Sequence, residues 1–216
     1  MSLPATLPIA SFADLIRASS VSFKQSWQQQ RSATGGGETR YADRAPALWA
    51  AEITTPPMEH AEAEALMALA NSRAGGLKTV LLYNNKTPYP SSDPDGSIIG
   101  ATVPKLGTIT DRLHVAFTGF PPGYVIPLGT YFGIVFDTSR YYLGQFAEAR
   151  TANPITGTVA ATEIWPPLPA SIAGTPDITI KKPVAKFRID PGSAYPSSIS
   201  AVHSTFRLMA EQTYSR

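Results

Sequence analysis

The three histidines, His60, His114 and His203, are the first side chains to weigh for chemistry, because an imidazole can bind a metal or carry a proton near neutral pH. None stands in HExxH, HxH or another compact ligand spacing, so metal catalysis lacks sequence support and no metal site is expected. His60 falls near a helix start, where a solvated ring is the simpler reading, and His114 alternates with Leu113 and Val115 and should point outward from a strand. A serine nucleophile would sit on a GxSxG elbow or in an SxxK pattern, and neither occurs where a strand meets a helix. Gly35, Gly36 and Gly37 lack the Lys-Ser/Thr of a phosphate loop and lead into an extended segment, so they read as a flexible tip.

Acidic and aromatic residues give equally little. Asp93 and Asp95 in SSDPDGS offer the hard oxygens calcium takes, but no acidic residue closes the loop after the glycine, and a β-turn is the plainer expectation. Glu148, Glu163 and Asp177 could meet as the paired carboxylates of glycoside hydrolysis, although nothing in their spacing requires it. Tyr131, Phe132, Phe136, Tyr141, Tyr142 and Phe146 could form a stacking platform, yet on two adjoining strands most of them are expected in a core. The absence of cysteine removes thiol nucleophiles, disulfides and Cys-ligated zinc. The expectation is a protein that is not an enzyme and needs no cofactor.

The elements that would have to position any site are mostly β. A chain of 216 residues suits one large β domain or two small ones, and its 20 Pro and 16 Gly, spread along the whole length, mark many turns. The formal charge of +2 is too slight to serve as a nucleic-acid footprint, so no specific nucleic-acid binding is expected. No window approaches the roughly 20 apolar residues of a membrane span, and the start lacks a secretory pattern. Membrane insertion is therefore not expected, and the product should be soluble and remain where it is made.

Leu3 to Ala18 reads as an extended arm or edge strand. Ser20 to Arg31 then alternates Val21, Phe23, Gln25 and Trp27 on one side, and Glu38 to Thr55 returns after the glycines, which together predict a long hairpin with a polar tip. The tract Gln25, Ser26, Gln28, Gln29 and Gln30 is a solvated face, a channel lining or a subunit contact. Pro56 and Pro57 end the return arm, and residues 58–74 have the Ala, Glu, Leu and Met content of a helix, with Arg73 in its last turn and Gly75-Gly76 as its stop. Leu77 to Tyr83 reads as a buried strand, followed by a long loop from Asn84 to Pro104. Short strands recur from Thr108 to Asp190, and Ser198 to Arg216 can return to the first part. The expected fold is mainly β with one α-helix: a β-sandwich over 1–104, completed by 191–216, and a small β-barrel over 105–190.

The segments RAPALWAAEI at Arg44 to Ile53, the helix with its Gly-Gly stop, LGTYFGIVFDTSRYYLGQF at Leu128 to Phe146, TGTVAATEIWPPL at Thr156 to Leu168, and KPVAKFRID at Lys182 to Asp190 follow one another in a distinctive order. In that order the chain resembles the distal tail proteins of long-tailed bacteriophages, or related tail-tube and baseplate ring proteins. The resemblance implies a β-sandwich ring domain with an attached OB- or galectin-like barrel. It also implies a hexameric ring in the virion tail, assembled in the host cytoplasm, that joins the tail tube to the hub or baseplate and leaves a lumen for DNA. On that reading the hairpin meets a sister chain, and Trp27, Gln28, Gln29, Gln30, Arg31, Arg40 and Tyr41 are the expected inter-subunit contacts. The rival is a carbohydrate-binding β module that grips a sugar with Tyr141, Tyr142 and the loop Tyr89 to Asp95.

Overall fold

The computed structural model describes residues 4–33 and 35–215; Leu3 of the expected N-terminal arm and Thr34 of the hairpin tip lie outside the described residues. The chain begins with β1 (Thr6–Leu7) and two short 3-10 turns, Ile9–Ser11 and Ala13–Leu15. The hairpin region follows as β2 (Ser20–Ser26), β3 (Gln29–Ala33), β4 (Thr39–Asp43) and β5 (Leu48–Thr54). Then come β6 (Met58–Glu59), α1 (His60–Asn71) and β7 (Thr79–Leu82). The middle of the chain supplies β8 (Lys105–Ile109), β9 (His114–Thr118), β10 (Val125–Ile126), β11 (Tyr131–Phe136), β12 (Arg140–Phe146), β13 (Arg150–Thr151), β14 (Val159–Trp165) and β15 (Ile178–Thr179). It closes with β16 (Ala185–Ile189), β17 (Tyr195–Ser198) and β18 (His203–Gln212).

These strands form two large sheets. In the first, the order is β1-β7-β16-β18-β5-β2, with β17 and β6 also paired to β18. Its centre is β18, whose alternation buries Phe206, Leu208 and Ala210 opposite the alternation of β5, which buries Trp49, Ala51 and Ile53. Phe23 of β2 meets Phe187 of β16 edge to face at 5.7 Å.

The helix is shorter than the predicted 58–74, because Met58 and Glu59 are drawn into strand pairing with Ser204 and His203. It buries Ala63, Leu66 and Ala70, spaced three and four apart, against the sheet, while Leu69 is only partly covered. Ala74, Gly75 and Gly76 all adopt positive φ and turn the chain out of the helix. Arg73 falls just after the helix and is fully buried; its guanidinium donates to the Pro4 carbonyl at 2.8 Å and to Ser72 Oγ, so it ties the N-terminal arm down.

The second sheet runs β15-β11-β12-β14-β9-β8 around a core of Phe117, Phe132, Phe146, Tyr142 and Ile164. The expected barrel is not closed by a regular ladder. Its two edge strands approach at a single bridge, Lys105 opposite Asp177, where the Leu106 N–H donates to Pro176 and the Ile178 N–H to Pro104. β15 itself is two residues long, too short to carry a continuous seam to β8.

A second departure concerns Ala185–Ile189, expected within the 105–190 unit. It pairs with β7 and β18 in the first sheet, since Ala185, Phe187 and Ile189 complete that core. The two sheets are joined by Trp49, whose indole N–H donates to the Leu143 carbonyl at 2.7 Å and whose ring meets Tyr131 at 5.4 Å. Gln212 adds a bond to the Tyr141 carbonyl at 3.4 Å. Among the described residues no helix is long and apolar enough to cross a membrane.

Candidate functional site: the projecting arm and the cleft at its foot

The hairpin is built in two stages. At its base, β2 pairs with β5 from Ser20↔Thr54 to Ser26↔Leu48, inside the first sheet. Beyond Trp27 and Gln28 the ladder resumes as β3 on β4, from Gln29↔Asp43 to Ala33↔Thr39, and here neither strand pairs with another strand among the described residues. Apart from half-buried Thr39, every residue of these two strands is exposed. The sequence explains this: past Trp27 the apolar side of the alternation stops, so the arm has no face to bury and leaves the core.

The expected contact residues are brought together on this arm. Pleating places Gln29 with Asp43 and Arg31 with Tyr41 on one face, and Gln30 with Ala42 and Ser32 with Arg40 on the other. Gln29 Nε2 donates to Asp43 Oδ1 at 2.7 Å, Arg40 lies 3.5 Å from Glu38, and Tyr41 is 63% exposed. The Gln28 carbonyl accepts the Arg44 N–H at 2.8 Å and carries the pairing across the bend. Trp27 sits at that bend and packs on Trp165 of the second sheet, ring centres 5.3 Å apart and tilted 34°. Gln25, which interrupts the apolar alternation of β2, accepts a hydrogen bond from Trp165 Nε1. The arm is therefore braced at its foot by the other sheet.

Beside this brace is a cleft of about 550 Å³ whose walls include Trp27, Arg44, Pro46, Arg112, Trp165 and Pro167. Arg112 is spent on the carbonyls of Pro169, Ala170 and Ile172, which fixes the Pro-rich wall. Sequence reading missed Arg44, Arg112 and Trp165 as neighbours of Trp27. Trp165 is far along the chain, and no local pattern announces its contact with the arm.

The remaining candidate groups are occupied structurally. Asp93 is fully buried and accepts the N–H groups of Ile98 and Ile99, both at 3.0 Å, one on each carboxylate oxygen; Asp95 caps Ser97 at 3.1 Å. The DPDG segment is thus a capped turn, and among the described residues no group of three or more acidic, His or Cys side chains could hold a metal. His60, expected to be solvated, instead has Nδ1 2.7 Å from Ser204 Oγ and Nε2 3.1 Å from the Ala201 carbonyl, docking the helix start onto the sheet. His114 pairs with Asp111 at 2.9 Å on the surface, and the His114 ring together with the Leu113 and His114 N–H groups holds the Asp111 carboxyl below its ordinary value.

Glu148 accepts from the Glu163 N–H and from Arg150, while Asp177 lies 3.4 Å from Lys105, so these two carboxylates have separate partners and Glu163 meets Glu148 through its backbone N–H, not its carboxylate. Tyr142, offered as half of a sugar grip, is fully buried with its hydroxyl on the Pro166 carbonyl, and burial raises its pKa well above the ordinary value. Its neighbour Tyr141 lies under the Lys186 ammonium, 5.8 Å from the ring centre. Set beside known proteins, the chain matches no protein-family model, and the curated proteins yield no match to it.

Proposed function

We propose that this chain is a structural subunit that assembles with copies of itself into a ring, in the manner of the distal tail proteins its sequence resembles. In this reading the ring is hexameric, sits at the end of a phage tail between tube and hub or baseplate proteins, and has no catalytic role. One observation carries the proposal. The β3–β4 arm extends beyond both cores with almost all of its residues in solvent and, among the described residues, its outer edges unpaired. A two-stranded hairpin is marginal in water on its own, and exposed strand edges are templates for another chain. The Trp27–Trp165 brace further favours an arm held in one direction. A slight net charge of +2 suits a lumen that lets DNA slide without gripping it.

The test is the mass of the purified full chain by light scattering coupled to size exclusion, with negative-stain images of the same fractions. Six-fold rings are expected, and deletion of Ser32 to Thr39 should leave a folded chain that no longer closes them. A monomeric full-length chain, or a deletion variant with an unaltered oligomer, overturns the reading.

A further inference from the structure

The cleft at the foot of the arm has a chemistry that ring formation does not require. Trp27 is 53% exposed although Trp165 packs against it, so the indole keeps an open face, whereas Trp49 is 2% exposed. Among the described residues the Trp27 indole N–H and the Arg44 guanidinium have no hydrogen-bonding or ionic partner, while the Arg44 backbone is fixed by the Gln28 carbonyl. Asp43 uses Oδ1 for Gln29 and has its other oxygen to offer. Arg112 holds the opposite wall through three carbonyls. A flat aromatic face beside an uncommitted guanidinium, an amide and a carboxylate oxygen matches a ligand with an apolar C–H face, hydroxyls and one negative charge.

We propose that this cleft binds a saccharide bearing a carboxylate, a hexuronic acid residue, with its pyranose ring on Trp27 and its carboxylate on Arg44. The fork of guanidinium donors meets both carboxylate oxygens at once, which a neutral sugar cannot exploit. Asp43 and Gln28 take hydroxyls, and the sister-chain contact then falls on the arm beyond the bend, at Gln29, Gln30, Arg31, Arg40 and Tyr41, which leaves Trp27 and Gln28 to the cleft. The Asp43 charge repels a doubly charged phosphate more strongly than a singly charged carboxylate, which favours the uronate over a nucleotide.

The test is titration of the full chain, in whatever assembly state it adopts, with trigalacturonic acid, followed by tryptophan fluorescence and calorimetry. Saturable binding with quenching is expected, at least ten-fold tighter than for maltotriose or adenosine monophosphate. Arg44→Gln should weaken it by about ten- to a hundred-fold, the range for a lost hydrogen bond to a charged group. Trp27→Ala should abolish it. Both side chains lie outside the two cores, so circular dichroism of the variants should be unchanged, and Arg44→Gln alone decides if Trp27→Ala is misfolded. No saturable binding, equal affinity for maltotriose, tighter binding of the nucleotide, or full affinity in Arg44→Gln each overturns the proposal. Assembly is read separately by mass, so rings without uronate binding sink this inference and spare the ring, and the converse result does the opposite.

Discussion

Replacing Asp93 by Ala tests the assignment of the DPDG segment as a capped turn. The side chain is fully buried, and each of its oxygens accepts one backbone N–H, from Ile98 and Ile99, at 3.0 Å. Truncation leaves both donors unmet. The Ile99 N–H is buried and bears the full desolvation penalty of about 1–3 kcal/mol, while the Ile98 N–H is partly reached by water and costs about 1 kcal/mol. The total is therefore about 2–4 kcal/mol. For a chain of this size each kcal/mol lowers the melting temperature by about 2–4 °C, which predicts a drop of about 4–16 °C. Asp93→Asn should fall between wild type and Ala, since its amide oxygen can accept one N–H while its NH2 faces the other donor. The assay is thermal and urea unfolding followed by circular dichroism, with and without millimolar calcium. A change below about 0.5 kcal/mol in the Ala variant would refute the cap, and calcium that stabilises wild type but not the variant would restore the cation-site reading.

Other outcomes can be stated alongside it. Phe187→Ala should cost about 3–5 kcal/mol in urea unfolding, because the ring is fully buried and is the edge-to-face partner of Phe23. Gly157→Ala should destabilise by at least about 2 kcal/mol in the same assay: the residue has φ +64°, and a Cβ there would stand 2.0 Å from the Phe120 carbonyl oxygen. Asp14 is held below its ordinary pKa by the Tyr83 hydroxyl first and by Lys182 next. Its contribution is present above the unfolded pKa and is lost as pH falls through the folded one, so stability should fall below about pH 4 and Asp14→Asn should flatten that slope in acid unfolding curves.

Local order was readable where short-range physics dictates it. The alternation through Val21 and Phe23, its end at Trp27 and the glycine tip marked the hairpin, and the Ala-rich run before Gly75 marked the helix to within a few residues. What escaped was decided over long range. Ala185–Ile189 has the pattern of a strand in either sheet, and only its fit against Val80 and Ala210 assigns it to the first. The second sheet fails to close because β15 is two residues long, a length its sequence does not advertise. The placing of Gln29, Gln30, Arg31, Arg40 and Tyr41 together on one arm, with Trp27 and Gln28 at its foot, follows from the hairpin alone. The cleft was invisible because Arg44 and Trp165 meet Trp27 through the docking of two sheets, and the buried Arg73 looked like an ordinary helix-terminal cation.

The first sheet has unequal borders. On one side β2, seven residues long, is the border strand; on the other the outermost pieces are β1, two residues long, and β17, where Pro196 has no N–H to give. Within the first sheet, strand addition therefore finds its longer template along β2, whereas the opposite flank offers only short or proline-interrupted pieces.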